Sequence, residues 1–411
     1  MPDNADLALS LLSPRAIRSR TRLLYEAGLR GELGHFNIHP ERLPDLADYV
    51  IATIRENYPT LEIPFHARWR HFVSAGQDRW QEIDERMRWT SSGARGRAAY
   101  DLAIVSVLLD AGAGPDWRFT DPRTGLVSSR SEGLGMASLR MFESGAFSSN
   151  PNEPLRADAK KLAALTADDI AAGFQISSDN PLVGLEGRAA LLRRLGETVL
   201  AKASVFARAD AARPGGLYDH LTGQPPDATV TAPAILNALL VHLGPIWPSR
   251  ISLGGLSLGD CWSHPLIRTG DASDGLVPFH KLSQWMAYSL IEPLQWTGHS
   301  VTEIDGLTGL PEYRNGGLFL DGGVISLKDP NAALTAHEPG SALVVEWRAL
   351  TVALLDDIAA LIRQKLGMDA QTLPLARVLE GGTWSAGRRI AREKRSEGGP
   401  PLSIVSDGTV F

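Results

Sequence analysis

Leu343–Leu366 reads LVVEWRALTVALLDDIAALIRQKL, and this stretch decides the fold class. Its apolar residues recur every three or four positions, as one helix face requires, and they also occupy other sides. The spacing therefore predicts a long helix that is largely buried. The same period predicts helices over Leu43–Asn57, where Leu46, Val50, Ile51 and Ile54 share a face, and over Pro278–Ile291, where Phe279, Leu282, Met286 and Leu290 follow an initial proline. Ser13-Pro14 is a capping serine followed by a first-turn proline, and the helix it opens stops near Gly28–Gly31. Further helices are expected over Ala98–Leu109, over Ser131–Phe142, within Pro181–Phe206 and over Ala232–Leu243. Strand-like runs occur at Gly317–Leu320 and Val324–Leu327, too few for a large sheet. No strand–helix alternation supports a doubly wound sheet. The expected class is mainly α and multi-helical, with a few short strands.

Residues 1–411 are read as a single large helical domain, with Arg213–Thr231, a Pro-, Gly- and Asp-rich loop, as the place for any subdivision. The tail Arg388–Phe411 is charged and then Gly/Pro-rich, and is expected to cross the surface and dock by Ile404, Val405 and Phe411. The 411 residues are 44% hydrophobic and 21% charged, the mix of a globular chain rather than a disordered, collagen-like or coiled-coil one. A net charge of -6 gives no global attraction to nucleic acid or anionic lipid, so neither is an expected partner. The single cysteine, Cys261, cannot form an intramolecular disulfide or a cysteine-rich zinc site, and it reads as a buried structural residue rather than a nucleophile. The opening MPDNAD lacks the basic start and apolar core of a signal peptide. Ala232–Trp247 is too short to span a bilayer. A soluble cytoplasmic protein is expected.

Walker-type phosphate loops and H-E-x-x-H are absent from the sequence. The pairs Gly316-Gly317 and Gly322-Gly323 read as turns. His35 with His39, and His66 with His71, lack the convergent partners that metal ligation needs, so no metal is expected. The segment His66, Arg68, Trp69, Arg70, His71, Phe72 interleaves cations with aromatics. Such a cluster can grip phosphate or stack on a flat group, and equally can be a salt-bridged edge. In Gly275–Asp321, Lys281, Gln284, Trp285 and Tyr288 share a helix face, and a mid-helix lysine beside Trp and Tyr suggests a pocket wall. Asp305, Glu312, Tyr313 and Arg314 lie close together along the chain. From spacing alone, a structural salt bridge there ranks ahead of a catalytic carboxylate.

Two segments of this region and a third further along the chain resemble the queuosine salvage N-glycosylases, which hydrolyse the base–ribose bond of queuosine 5′-phosphate. Pro278-Phe279-His280-Lys281 matches their P-F-Y-K. Glu303-Ile-Asp305-Gly-Leu-Thr-Gly-Leu-Pro311-Glu312-Tyr313-Arg314 matches D-I-D-x-L-T-x-x-A-D-Y-R, and Val345-Glu346-Trp347-Arg348 matches E-[IV]-R. Glu312 stands in place of Asp, Pro311 in place of Ala, and His280 in place of Tyr. The longer carboxylate side chain suggests a different substrate. Over nearly its whole length the chain is more similar to the uracil catabolism family. PFHARWRHF (Pro64–Phe72), RSEGLGMASLRMFESGAFSS (Arg130–Ser149), LTGLPEYRNGGLFLD (Leu307–Asp321) and the ending SDGTVF (Ser406–Phe411) carry that likeness.

That family belongs to a route that opens the pyrimidine ring with the ribose attached, leaving ribosylurea or its phosphate. Together the two resemblances imply an N-ribosyl hydrolase that frees urea, and a helical fold related to the helix-hairpin-helix DNA glycosylases. They place Glu312 at the oxocarbenium-like centre as the group that stabilises charge and activates water. Lys281 shares that site, and Asp305 orients water or anchors its loop. Tyr313, Arg314, His280 and Trp285 are substrate-binding candidates, with His280 also a candidate proton donor, and Asp260, Arg68, Trp69 and Arg70 rank after them. The implied chemistry needs no metal or redox cofactor, and the partner is a small-molecule ribosyl substrate. Three other readings stay open: an N-glycosylase of a modified nucleotide such as queuosine 5′-phosphate, a ureido amidohydrolase, and a noncatalytic binding protein of the same pathway.

Overall fold

A computed structural model describes residues 3–110, 112–208, 211–223, 229–247 and 250–405. The fold is mainly α. The principal helices are α1 (Pro14–Leu29), α2 (Leu43–Asn57), α3 (Ser92–Leu108), α4 (Arg130–Glu143) and α5 (Leu185–Ala201). They continue with α6 (Ala232–Leu243), α7 (Lys281–Trp296), α8 (Tyr313–Asp321), α9 (Ala342–Leu366) and α10 (Trp384–Lys394). Among the described residues, strands occur only as two-stranded pairs. No described helix is long and apolar enough to cross a membrane.

The described residues fall into two compact units. The first comprises residues 3–66, 250–284 and 303–405, and the second comprises the described residues of 67–247 together with 285–302. The described residues of Arg213–Thr231 belong to the second.

In the first unit α9 is the central element. Ser341 caps it through a bond from Val344 N–H to Oγ, and Gly367 ends it at φ 66°, a backbone that costs glycine nothing. Val344, Val345, Leu350, Leu354, Leu355, Ile358 and Ile362 are fully buried. They bury against α1, α2 and α8, and α10 packs on α8 and α2. Gly316 on α8 lets that helix lie against the Trp347 indole, whose Nε1 donates to the Gly316 carbonyl at 3.0 Å. Phe36–Ile38 pairs antiparallel with Ile325–Leu327, and Cys261–Ser263 with Leu276–Pro278.

In the second unit every residue of α3 from Ala98 to Leu108 is buried, and α4 and α5 pack on it. Asp101 on α3 is fully buried. It pairs with Arg213 at 2.5 Å and accepts the Ala157 and Gly215 amides.

Several elements differ from the expectation. Gly317–Leu320 is helical, inside α8, because an apolar run of four does not by its own period separate strand from helix. For the same reason Gly316-Gly317 is not a turn. Arg213–Thr231 is not all loop: Gly216–Thr222 is helical and Val230-Thr231 pairs in parallel with Val301-Thr302. The Asp101 clamp on Arg213 and Gly215 holds the start of that helix. Arg388 to Lys394 extends α10 rather than opening the tail. The tail docks by Leu402, which is 1% exposed, and by Ile404 in a two-residue strand beside Ala336-His337, while Val405 is exposed. Phe411, and with it the whole of SDGTVF, lies outside the described residues.

Candidate active site

The candidate site is in the first unit, where the three matched segments meet. It is built on Asp260. The Asp260 carbonyl accepts the Phe279 and His280 amides, and its Oδ2 accepts the Lys281 amide at 2.9 Å. His280 has φ 48°, a left-handed backbone that breaks the Leu276–Pro278 strand. Helix α7 therefore starts at Lys281, not Pro278, and Asp260 stands in as acceptor for its first amide. Lys281 is at the helix end and not in mid-helix as expected.

Asp260 is itself held by Arg348, with Nη1–Oδ1 and Nη2–Oδ2 both at 2.7 Å, and by the Trp262 indole N–H at 2.7 Å. Burial pushes the Asp260 carboxyl up. The Arg348 charge and these donors outweigh it and hold the group well below the usual carboxylate range. Arg348 is 1% exposed and lies over the Phe279 ring at 4.2 Å. Two residues earlier, Glu346 accepts the Gly34 and His35 amides at 2.8 and 2.9 Å and meets His264 Nε2 at 3.3 Å. These partners outweigh burial and keep its carboxyl below the ordinary value. Both charges of the third segment thus serve as buried ties.

Glu312 is the N-cap of α8. Its Oε2 accepts the Arg314 amide at 2.7 Å and its Oε1 the Asn315 amide at 2.6 Å. Asn315 Nδ2 donates to the Leu310 carbonyl, closing the turn before the helix. Thr308, in the same approach, bonds Gln284 of α7 at 2.5 Å. The Glu312 side chain is half-buried, and desolvation raises its carboxyl above the ordinary glutamate value. The two amides oppose that rise, as do the charges of Lys281 and His66. Each carboxylate oxygen has a second lone pair beyond the one its amide takes. A desolvated carboxylate of raised basicity beside a lysine is the arrangement that a general base or an oxocarbenium partner needs.

The other expected residues are more scattered. Asp305 pairs with Arg363 at 2.5 Å and accepts the Leu375 amide at 2.6 Å, the geometry of a loop anchor. Arg314 is 5% exposed, donates to the Gly398 carbonyl at 2.8 Å and lies over the Tyr313 ring, so it secures the tail segment. Tyr313 is exposed. His280 is 2% exposed, and its Nε2 meets the Leu11 carbonyl at 3.1 Å, so that nitrogen carries the hydrogen. Burial lowers its basicity, which suits a neutral tie rather than a proton donor.

Trp285, on α7, belongs with the second unit. There its ring meets His71 edge-on at 5.6 Å and lies 5.6 Å from the Arg68 guanidinium. Arg68 is fully buried, pairs with Asp110 at 2.9 Å and bonds Ser106 at 2.6 Å. Trp69 is 1% exposed and donates to the Ser289 carbonyl, and Arg70 pairs with Glu292 at 2.8 Å. Of the two readings of this basic and aromatic segment, the side-chain contacts are those of an internally paired one. Cys261 is fully buried, and burial pushes its thiol up to about 12. Among the described residues, no group of three or more His, Cys, Asp or Glu side chains is placed to hold a metal ion.

The sequence reading did not single out one feature. His66 Nδ1 lies 2.7 Å from Glu380 Oε2, and both side chains are mostly buried. Glu380 belongs to a single π-helical turn, Leu379–Thr383, between Leu375–Val378 and α10. The two residues are 314 positions apart, so no local spacing could reveal the pair.

Residues 10–411 match the profile of a family described as "Protein of unknown function (DUF1688)". A Schizosaccharomyces pombe protein named "Protein urg3" is 39% identical over 419 aligned residues, covering 99% of this chain and 100% of that protein. A Lachancea kluyveri protein named "Uracil catabolism protein 4" is 38% identical over 415 aligned residues, covering 93% of each.

Proposed function

Because the chain belongs to the DUF1688 family, with a relative named for uracil catabolism, we propose that it is a cytoplasmic N-ribosyl hydrolase of that pathway, cleaving ribosylurea or its 5′-phosphate to urea and the sugar. The observation that carries the reading is Glu312: a desolvated carboxylate of raised basicity, oriented by two helix amides, with a lysine charge acting on it.

As the bond from C1′ to the urea nitrogen lengthens, positive charge spreads over C1′ and the ring oxygen. The Glu312 carboxylate stabilises that charge and takes a proton from the water that adds to C1′. Lys281 favours the ionised form of Glu312 and contacts a ribose hydroxyl or the phosphate. The amides of Arg314 and Asn315 fix the carboxylate direction, so little reorganisation is needed during reaction.

The test is incubation of the purified protein with ribosylurea and with its 5′-phosphate, quantifying urea, ammonia and sugar separately. Urea and sugar in equal amounts are expected. Ammonia without urea would assign a ureido amidohydrolase instead, and no turnover by a folded protein would refute the proposal.

A further inference from the structure

The geometry points to His66, held by Glu380, as the acid that protonates the departing nitrogen of the substrate, with Glu380 as its positioning residue. This rests on the N-ribosyl hydrolase reading and adds the group that reading lacks. Urea leaves poorly as an anion, so a proton must reach its nitrogen as the C1′–N bond breaks. His280 is tied to a backbone carbonyl and the Asp260 carboxyl is committed to Arg348. The π-turn that carries Glu380, the partner of His66, packs on α8, the helix that Glu312 caps, and the His66 charge acts on Glu312, so the ring and the carboxylate belong to one locus.

The ring is also aimed. The Glu380 carboxylate only accepts, so Nδ1 carries the hydrogen at 2.7 Å and Nε2 is the ring position that delivers a proton. The His66 amide donates to the Ala376 carbonyl at 2.9 Å, and the ring lies 6.1 Å from that of Trp384, so backbone and ring are both held.

The local fold that brings Glu380 to His66 is uncommon. One π-helical turn is inserted before α10, and such turns occur often at functional sites. Its Gly381 and Gly382 press against Ile63, Val50 and Ile54, where a Cβ would crowd those side chains. The turn thereby seats Glu380 against the loop that carries His66.

The step balances. The C1′–N pair goes to the urea nitrogen, which receives the proton from His66 Nε2. Water oxygen bonds C1′, and its proton goes to Glu312. Proton exchange with solvent then restores the proton that His66 gave and removes the one that Glu312 took.

The test compares two substrates with the full-length protein. Ribosylurea needs a proton on its leaving group, and 4-nitrophenyl β-riboside does not. His66→Asn keeps an N–H donor toward Glu380. It should lower kcat on ribosylurea by about 10²-fold or more, with far less loss on the aryl riboside. Glu312→Gln should lose activity on both. Glu380→Gln, which still accepts the Nδ1 hydrogen, should lower kcat on ribosylurea with KM unchanged and leave the aryl riboside nearly unaffected. Equal losses of the His66 variant on both substrates, or no loss on ribosylurea, overturns the assignment. Wild-type protein that cleaves neither substrate refutes the underlying reading, and the assignment with it. If wild type cleaves only ribosylurea, the deciding measurement is rescue of His66→Ala by added imidazole. Rescue supports the assignment, and its absence overturns it.

Discussion

Replacing Glu312 by serine separates the capping role of this side chain from the catalytic role proposed for it. In the structure it caps α8 through bonds at 2.7 and 2.6 Å, and in the proposed mechanism it meets the reacting carbon. Serine is among the best N-caps, so its hydroxyl takes over one of the two amides, and capping should weaken by no more than about 1 kcal/mol. A second term runs the other way. Burial raises the Glu312 carboxyl in the folded protein. A raised group contributes stability that is fully present below the unfolded value and is lost as pH rises through the folded one. At neutral pH the ionised carboxylate therefore works against folding, and serine removes that burden.

The net change in Tm should stay within about 4 °C, from roughly 2–4 °C per kcal/mol for chains of this order of size. The loss of base and charge stabilisation should lower kcat/KM by about 10³-fold, or ~4 kcal/mol in the barrier. Urea release measured beside thermal unfolding reads both. Glu312→Gln, which turns an N–H toward one helix amide, should be less stable than Glu312→Ser and equally inactive. The same raised carboxyl should place the acid limb of wild-type kcat/KM above the ordinary glutamate range. A serine variant with normal turnover would refute the reasoning and leave Glu312 as a cap alone.

The other predictions concern the frame of the site. Asp260→Asn removes the counter-charge of Arg348, which is 1% exposed, and should cost about 3–5 kcal/mol in denaturant unfolding. The double variant with Arg348→Met should recover much of that, and no recovery would dispute the pairing. Because the Asp260 carboxyl is lowered in the folded protein, its stabilisation is present above the unfolded aspartate value and lost as pH falls through the folded one. Wild type should therefore lose stability below the ordinary aspartate range by more than the double variant does, as read by denaturant titration at several acid pH values. Asp305→Asn keeps an acceptor for the Leu375 amide and loses a partly exposed ion pair, so stability should fall by about 1 kcal/mol and kcat/KM by less than tenfold. A 100-fold loss would return Asp305 to the chemistry. Gly387→Ala drives a methyl group into the Arg314 carbonyl and should destabilise by about 1–3 kcal/mol, and an unchanged Tm would contradict the close packing of α10 on α8.

What the sequence determined by itself is local. Ser13-Pro14 and the apolar spacing of Leu43–Asn57 and Leu343–Leu366 specify helices within a residue or two, because caps and the helical period act over a few positions. The mainly α class follows from them. Gly317–Leu320 fails the same method, since four apolar residues suit a strand as well as one buried turn of helix. The N-capping role of Glu312 was within reach of the sequence, as an acidic side chain just ahead of a helix, yet its basicity was not.

Tertiary structure alone decided which residues meet at the candidate site. Lys281 comes to Glu312 because Asp260 ends a strand pair and starts α7, and Asp260 keeps that place because Arg348 reaches it from a helix 88 residues on. Asp305 neighbours Glu312 in sequence but is drawn to Arg363 and Leu375. Glu380 reaches His66 across 314 positions through a π-turn. Desolvation and charge pairing depend on which groups the packed chain brings within a few ångströms. Residue spacing along the sequence carries that information only where the partners lie on one helix or in one turn.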